Sequence, residues 1–317
     1  MHFKYKVDKP QRSFEDISDC AHKLVGKFGP YRVVVAVGDD LPSLQGLALA
    51  KAQGLVEPIL VGRTRHMRYE LEQLGESTSE WQMIEERDPH DATRHAAQLV
   101  KSGDADILMR GKLLARDFFA TLFDKDLGLH KPGVLWTNIV ALKIKELDRL
   151  ILLTDCALTV SLDLPGRLKL IQNATDFIQF LGVAEPKISL LAAVETVTPG
   201  MPVSLEEAVI AKMSERGQFP KGVSVDGPLS LDLSLSLNAV KKKKMNSVVA
   251  GAADVLVVDS IQVGNLLFKS LITLCGAASA SVIVGAPFPI ILTSRSEYPE
   301  NIINSFVLSI MMVGEKH

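Results

Sequence analysis

The chain has 317 residues, 47% hydrophobic and 23% charged, and its 35 basic and 37 acidic residues leave a formal net charge of −2. The apolar share suffices for a large buried core and excludes intrinsic disorder, and the length favours roughly two domains. Balanced charge excludes a dedicated nucleic-acid binder, which would carry a strongly basic face, and 6% aromatic residues leave no base-stacking platform. The N-terminal Met1-His2-Phe3-Lys4-Tyr5-Lys6 leads into polar sequence, so no secretory signal is read there. Apolar runs follow at residues 31–37 (YRVVVAV), 58–62 (PILVG), 107–109, 149–154 (RLILLT), 187–194 (KISLLAAV), 222–225, 255–258, and 281–284 with 290–292. They are apolar on both faces and bounded by Gly or Pro, as in strands covered on both sides.

Helical patterns fill the intervals. Residues 91–101 end at Ser102-Gly103, and residues 167–181 set Leu168, Ile171, Ala174, Ile178 and Leu181 near one face before Gly182. Ser204-Leu-Glu-Glu207 reads as a capping box opening a helix that Gly217 stops. Residues 265–275 are apolar nearly all round, which predicts burial. Regular alternation of strand and helix gives an α/β fold with largely parallel sheets. The charge run at residues 241–244 reads as a solvated helix end, with a basic edge near a phosphorylated ligand as the alternative. The most apolar stretch, residues 277–293, is short for a membrane span and is broken by Gly285, Pro287 and Pro289. Cys20, Cys156 and Cys275 lie far apart, as single thiols of a reduced compartment do. The expectation is a soluble cytoplasmic protein with no membrane or nucleic-acid partner.

Ligands of such sheets bind past the C-terminal strand ends. Those ends carry Gly38-Asp39-Asp40, Arg110-Gly111-Lys112, Thr154-Asp155-Cys156, Glu195-Thr196, Asp226-Gly227-Pro228, Gly264-Asn265 and Thr293-Ser294-Arg295. Glycine lets backbone approach a ligand, Arg and Lys hold phosphate, and a carboxylate beside a thiol or hydroxyl can take its proton. Singly, each has an ordinary reading: Asp-Gly-Pro is also a turn, and Ser294-Arg295 could be a helix cap and a surface base. No Walker loop, dinucleotide fingerprint or nucleophile elbow is present. The histidines, His90, His95 and His130 among them, show no metal-ligand spacing.

Taken in order, a longer set of segments resembles the phosphate acetyl/butyryltransferase family, its butyryltransferase branch most closely. The segments are Glu57-Pro-Ile-Leu-Val-Gly62, Leu108-Met-Arg-Gly111, Asp117-Phe-Phe with Asp124-Lys125, Leu152-Leu-Thr-Asp-Cys-Ala157, Ile171-Gln-Asn-Ala174 and Glu185-Pro-Lys-Ile188. The strongest are Ala193-Val-Glu-Thr-Val197, Val225-Asp-Gly-Pro-Leu229 with Asp232, Val249-Ala-Gly251, Gly264-Asn265 and Pro289-Ile-Ile-Leu-Thr-Ser-Arg295. The resemblance implies a two-domain isocitrate/isopropylmalate dehydrogenase-like fold with a cleft between domains. Residues 1–137 with 289–317 would form one domain and residues 138–288 the other. It implies reversible acyl transfer, acyl-CoA plus phosphate giving acyl phosphate plus CoA, for a short-chain acyl group. Coenzyme A would be a substrate, with no permanently bound cofactor and no metal, and the chain would form a homodimer or higher homo-oligomer.

The implied catalytic residues are Ser294, donating to developing negative charge, Arg295 on the phosphate, and Asp226 as base or orienter of the thiol. Arg110, Gly111, Asp155, Glu195, Gly227, Pro228, Gly264 and Asn265 would bind substrate. The sequence also departs from the family pattern. Thr159 replaces an Asn and Leu162 a Pro in the loop at residues 159–163; Asp259-Ser260-Ile261-Gln262 replaces a more acidic segment; Val134 stands where Arg is common; and Asn301 stands where the acetyltransferase branch has Asp. These changes motivate a second expectation, a catalytically altered member that binds CoA or acyl phosphate and regulates. A dehydrogenase on the same scaffold is a third, disfavoured by the absent dinucleotide and metal-ligand patterns.

Overall fold

The computed structural model describes residues 3, 5–293 and 297–316. The strands are β1 (Tyr31–Ala36), β2 (Val56–Gly62), β3 (Gln82–Glu85), β4 (Ile107–Arg110), β5 (Thr137–Lys143), β6 (Leu150–Thr154), β7 (Lys187–Leu191), β8 (Ser224–Leu229), β9 (Val255–Val257), β10 (Ala278–Val284) and β11 (Ile290–Ile291). The helices are α1 (Phe14–Phe28), α2 (Leu41–Ala52), α3 (Thr64–Gln73), α4 (Pro89–Ser102), α5 (Ala115–Leu122), α6 (Leu164–Phe180), α7 (Pro202–Glu215), α8 (Leu231–Leu235), α9 (Leu237–Lys243), α10 (Ile261–Cys275) and α11 (Pro299–Val313).

Chain contacts divide these elements into two compact units. The first comprises Met1–Tyr5, Phe14–Trp136 and Ala278–His317; the second comprises Lys6–Ser13 and Thr137–Ala277. The boundary expected after residue 288 differs from this division, because β10 pairs antiparallel with β11 and packs under α11, which keeps residues 278–288 in the first unit.

In the first unit the strand order is β3-β2-β1-β4-β11-β10, parallel except for the last pair. The β-branched run Val33-Val34-Val35 puts β1 at its centre, with all three side chains wholly buried. β3 is a four-residue edge strand (QMIE), too short and too polar to stand out in sequence. The helix expected at residues 91–101 starts earlier, at Pro89, because Asp88 caps it by accepting from the His90 and Asp91 amides, and Gly103 closes it at φ 86°.

In the second unit the order is β5-β6-β9-β7-β8, parallel except for β5–β6. β5 (TNIVALK), absent from the apolar runs of the sequence, opens on Thr137 and Asn138 and so presents only a short apolar core. Asp163 caps α6 through the Gly166 amide, so the helix begins at Leu164. Two expectations fail here. The capping box at Ser204 does not form: Pro202 pre-sets the first turn, and the Ser204 hydroxyl donates to the Met201 and Thr198 carbonyls instead. And α10 is not buried all round. Phe268 and Ile272 enter the core, while Leu266 is 71% and Leu274 82% exposed, because the single chain offers a core to one face only. The lysines at residues 241–244 are exposed at the end of α9, where Lys243 Nζ stands 3.5 Å from Glu195 and from Asp232.

Candidate active site

Chemistry-bearing residues gather at strand ends in each unit. In the first, β4 ends on Arg110-Gly111. The Gly111 amide donates to Ala36 O and the Lys112 amide to Val37 O, both at 2.8 Å. A Cβ on Gly111 would stand 2.2 Å from Val37 O, so glycine alone allows the loop after β4 to lie against the end of β1. Arg110 is buried: Nη1 donates to Leu113 O and Nη2 to Thr293 O. Thr293 immediately precedes Ser294 and Arg295, the first two nominated catalytic residues, which lie outside the described residues. Asn301, standing where the acetyltransferase branch has Asp, is buried near the start of α11. Its Oδ1 accepts from the Ser279 amide at 2.9 Å and its Nδ2 donates to Glu297 Oε1 at 2.8 Å.

In the second unit the turn after β6 is built on Asp155. Its carboxylate accepts from the amides of Asn138 (3.0 Å), Ala157 (2.9 Å) and Leu158 (2.8 Å) and from Thr159 Oγ1 (2.9 Å). Burial pushes this carboxyl up, and the four hydrogen bonds pull it part of the way back. The Thr159 departure from the family pattern therefore has a structural role, as does Asp163 at the N-cap of α6. Cys156 is buried beside Asp155; desolvation first, and the neighbouring carboxylate second, push its thiol well up.

Gly264 and Asn265 lie in the first turns of α10, not at a strand end, and hold the same turn. Asn265 Nδ2 donates to Cys156 O at 3.2 Å, and a Cβ on Gly264 would stand 2.3 Å from Asp155 O. Gly264→Ala is expected to destabilise the fold by about 2–3 kcal/mol, since a backbone carbonyl must move to admit the methyl; a lower urea midpoint at unchanged m-value is the measure.

Asp226 sits within β8 rather than past its end. Ser189 pairs with Asp226 and Leu191 with Leu229, so β8 carries one extra residue at Gly227-Pro228, an irregularity that re-aims the side chain beside it. Gly227 packs flat on β7, where a Cβ would stand 2.6 Å from Leu190 Cβ, and Pro228 is buried. Asp226 Oδ1 accepts from the Gly227 amide at 2.8 Å, Oδ2 accepts from no described group, and the side chain is half-buried. Glu195 follows β7 and pairs with Lys243 Nζ at 3.5 Å, which also stands 3.5 Å from Asp232. Of the three nominated carboxylates, Asp155 is turned into its own loop and Glu195 faces a lysine. Asp226 combines partial exposure with an oxygen that accepts from no described group and, unlike Glu195, faces no lysine.

A cluster with little signal in the sequence lies nearby in the second unit. Arg167 on α6 is buried, with Nε 3.3 Å from Glu206 Oε1, and next to it Glu207 is wholly buried with neither oxygen accepting a hydrogen bond. Arg167 lines a small pocket with Asp155, Thr159, Leu162, Asp259 and Ser260. The only sequence signal was the spacing from Ser204 to Glu207, which the capping-box reading absorbed. Among the described residues no set of three His, Cys, Asp or Glu converges on a metal position.

These features define a two-unit α/β protein with largely parallel sheets whose polar residues collect at strand ends. Comparison with known proteins narrows the class. The family described as "Phosphate acetyl/butaryl transferase" matches residues 82–310, and the chain belongs to this phosphate acetyl/butyryltransferase family. It is 32% identical over 285 residues to the phosphate butyryltransferase of Clostridium acetobutylicum, covering 90% of this chain and 94% of that protein. It is 33% identical over 280 residues to the phosphate acetyltransferase of Thermotoga maritima, covering 88% and 94%. The branched-chain phosphotransacylase of Enterococcus faecalis V583 superposes with a TM-score of 0.77 at 28% identity, covering 89% of this chain and 99% of that one. A 4-hydroxythreonine-4-phosphate dehydrogenase from Klebsiella pneumoniae, at TM-score 0.54, 16% identity and coverage of 90% and 99%, shares the fold alone. The dehydrogenase-like scaffold implied by the sequence is thus the one observed.

Proposed function

We propose that the protein is a phosphate acyltransferase, moving a short-chain acyl group reversibly between coenzyme A and orthophosphate by direct attack within a ternary complex. Membership of the family, matched over residues 82–310 and supported by a relative aligned along 90% of the chain, is the observation that carries this reading. In the direction that consumes acyl phosphate, the thiol of CoA attacks the carbonyl carbon and phosphate leaves. A thiol with a pKa of about 8.5 is mostly protonated at neutral pH, so a carboxylate able to take its proton speeds attack. Asp226 is assigned that role, as base or orienter, on the strength of its uncommitted Oδ2. Ser294 is assigned to the developing oxyanion and Arg295 to the phosphate. Asp155, Gly264 and Asn265 support the turn after β6, Gly111 shapes the loop after β4, and Gly227 and Pro228 form the irregularity in β8 beside Asp226. The acyl and thiol groups meet directly, so no acyl-enzyme is required.

Phosphate-dependent release of free thiol from acetyl-, butyryl- and branched acyl-CoA tests the reading. Ligand-induced thermal stabilisation with no release from any of the three would select the regulatory alternative instead.

Self-association follows from the same reading. The face of α10 left open by the chain's own core carries Val263, Leu266 and Leu274, an apolar grouping of the kind interfaces cover, and a second copy of this chain is the occupant assigned. Leu266→Lys with Leu274→Lys is expected to lower the mass measured by light scattering to that of one chain; an unchanged mass would move the interface elsewhere. Among the described residues no helix is long and apolar enough to cross a membrane. The cytoplasm is the compartment assigned, on the three widely spaced cysteines.

A further inference from the structure

Arg110 was expected at the substrate, and its surroundings point to a different task. Its guanidinium spans two backbone carbonyls 180 positions apart in sequence: Leu113 O, in the loop that leaves β4, and Thr293 O, in the segment that leaves β11. That loop is tied on its other side to β1, through the Gly111 and Lys112 amides on Ala36 O and Val37 O, and it curls on itself through the Leu113 amide on Gly111 O at 2.9 Å. β11 in turn pairs with β4, Ile290 beside Leu108 and Ile291 beside Met109. Where this pairing stops, the Arg110 side chain continues it, joining the two strand ends past the last backbone hydrogen bond. The planar fork of arginine suits two carbonyls at once, which the single ammonium of lysine does not. Lys112, by contrast, is exposed and pairs with no described carboxylate.

We infer that Arg110 is a positioning residue: its guanidinium staples the β4 loop to Thr293 and thereby fixes the point from which Ser294 and Arg295 depart. The inference builds on the acyltransferase reading for its kinetic consequence, and on geometry alone for its structural one.

The two parts are tested separately. Arg110→Gln, Arg110→Lys and, as comparator, Lys112→Met are each prepared as the full chain and checked for native far-ultraviolet circular dichroism. In the absence of any ligand, amide hydrogen exchange at residues 291–293 and 111–114 is expected to quicken about tenfold or more in Arg110→Gln, less in Arg110→Lys, and not in Lys112→Met. This measurement needs no activity, so it stands even if the protein transfers no acyl group. In turnover, Arg110→Gln is expected to lower kcat ~30–100-fold while KM for phosphate moves less than about threefold, with partial recovery in Arg110→Lys; displacement of reacting groups by an ångström has effects of that size. Unchanged exchange in Arg110→Gln, or a rise in KM for phosphate that accounts for the whole loss, would overturn the inference and return Arg110 to the ligand. Should Arg110→Gln fail to fold, Arg110→Lys carries the same two readouts.

Discussion

Arg295→Ala and Asp226→Asn are each expected to lower phosphate-dependent turnover at least ~100-fold, about 2.7 kcal/mol of transition-state stabilisation. The two losses have different causes and can be told apart. Phosphate leaving a carbonyl carries growing negative charge, and arginine meets it with a two-pronged, permanently charged donor set. Arg295→Lys keeps the charge without the fork and should fall between the parent and Arg295→Ala. Asp226→Asn preserves size and the Oδ1 contact with the Gly227 amide, and removes only the capacity to take a proton at the oxygen that no described group occupies. Its defect should therefore shrink as the pH approaches the pKa of the CoA thiol, near 8.5, where the thiol ionises unaided. The defect of Arg295→Ala should not shrink in this way. Unchanged rates for both variants, in proteins with native melting behaviour, would remove the site assignment.

The sequence disclosed the fold better than the roles of individual residues, and the reason is physical. Strands such as β1 and β6 are buried on both faces, so nearly every position is apolar and the run announces itself. β3 and β5 lack that uniformity and were passed over. Gly111, Gly227 and Gly264 read as positions where backbone approaches a ligand; in the fold the groups that crowd them belong to the same unit, the Val37 and Asp155 carbonyls and the Leu190 Cβ. A glycine required by packing and one required by a ligand look alike in sequence. The same ambiguity affects Asp155 and Arg110, whose charges are engaged by amides and carbonyls that carry no sequence signature at all. Asp226-Gly227-Pro228 reads in sequence as a turn past a strand end, whereas the fold keeps it inside β8 and takes up the extra residue as an irregularity, which period-two alternation does not announce.

Glu207 is the clearest case of a misread carboxylate, and it sets the last expectation. In a capping box its side chain would reach back to the Ser204 amide at the exposed start of a helix. In the fold α7 begins two residues before Ser204, and Glu207 is driven inward with no donor for either oxygen. Desolvation raises its pKa from 4.5 to about 7; Arg167 opposes the shift, while Asp259 and Glu206 add to it. Because the folded-state value exceeds the unfolded one, the folded protein holds more protons between these two limits, and stability falls as pH rises from about 4.5 to about 7. At 1.36 kcal/mol per pH unit the full cost is on the order of 3 kcal/mol, reached above the folded-state value. Glu207→Gln keeps the shape of the protonated acid and never ionises. Its stability in urea should match the parent near pH 4.5 and exceed it by about 2–3 kcal/mol at pH 8. If Glu207 instead stood as a working partner of Arg167, removing its charge would expose the guanidinium to an unbalanced interior, and the variant would be the less stable of the two at pH 8. The sign of that one difference separates a carboxyl stranded by the packing of α6 against α7 from one that helps to hold it.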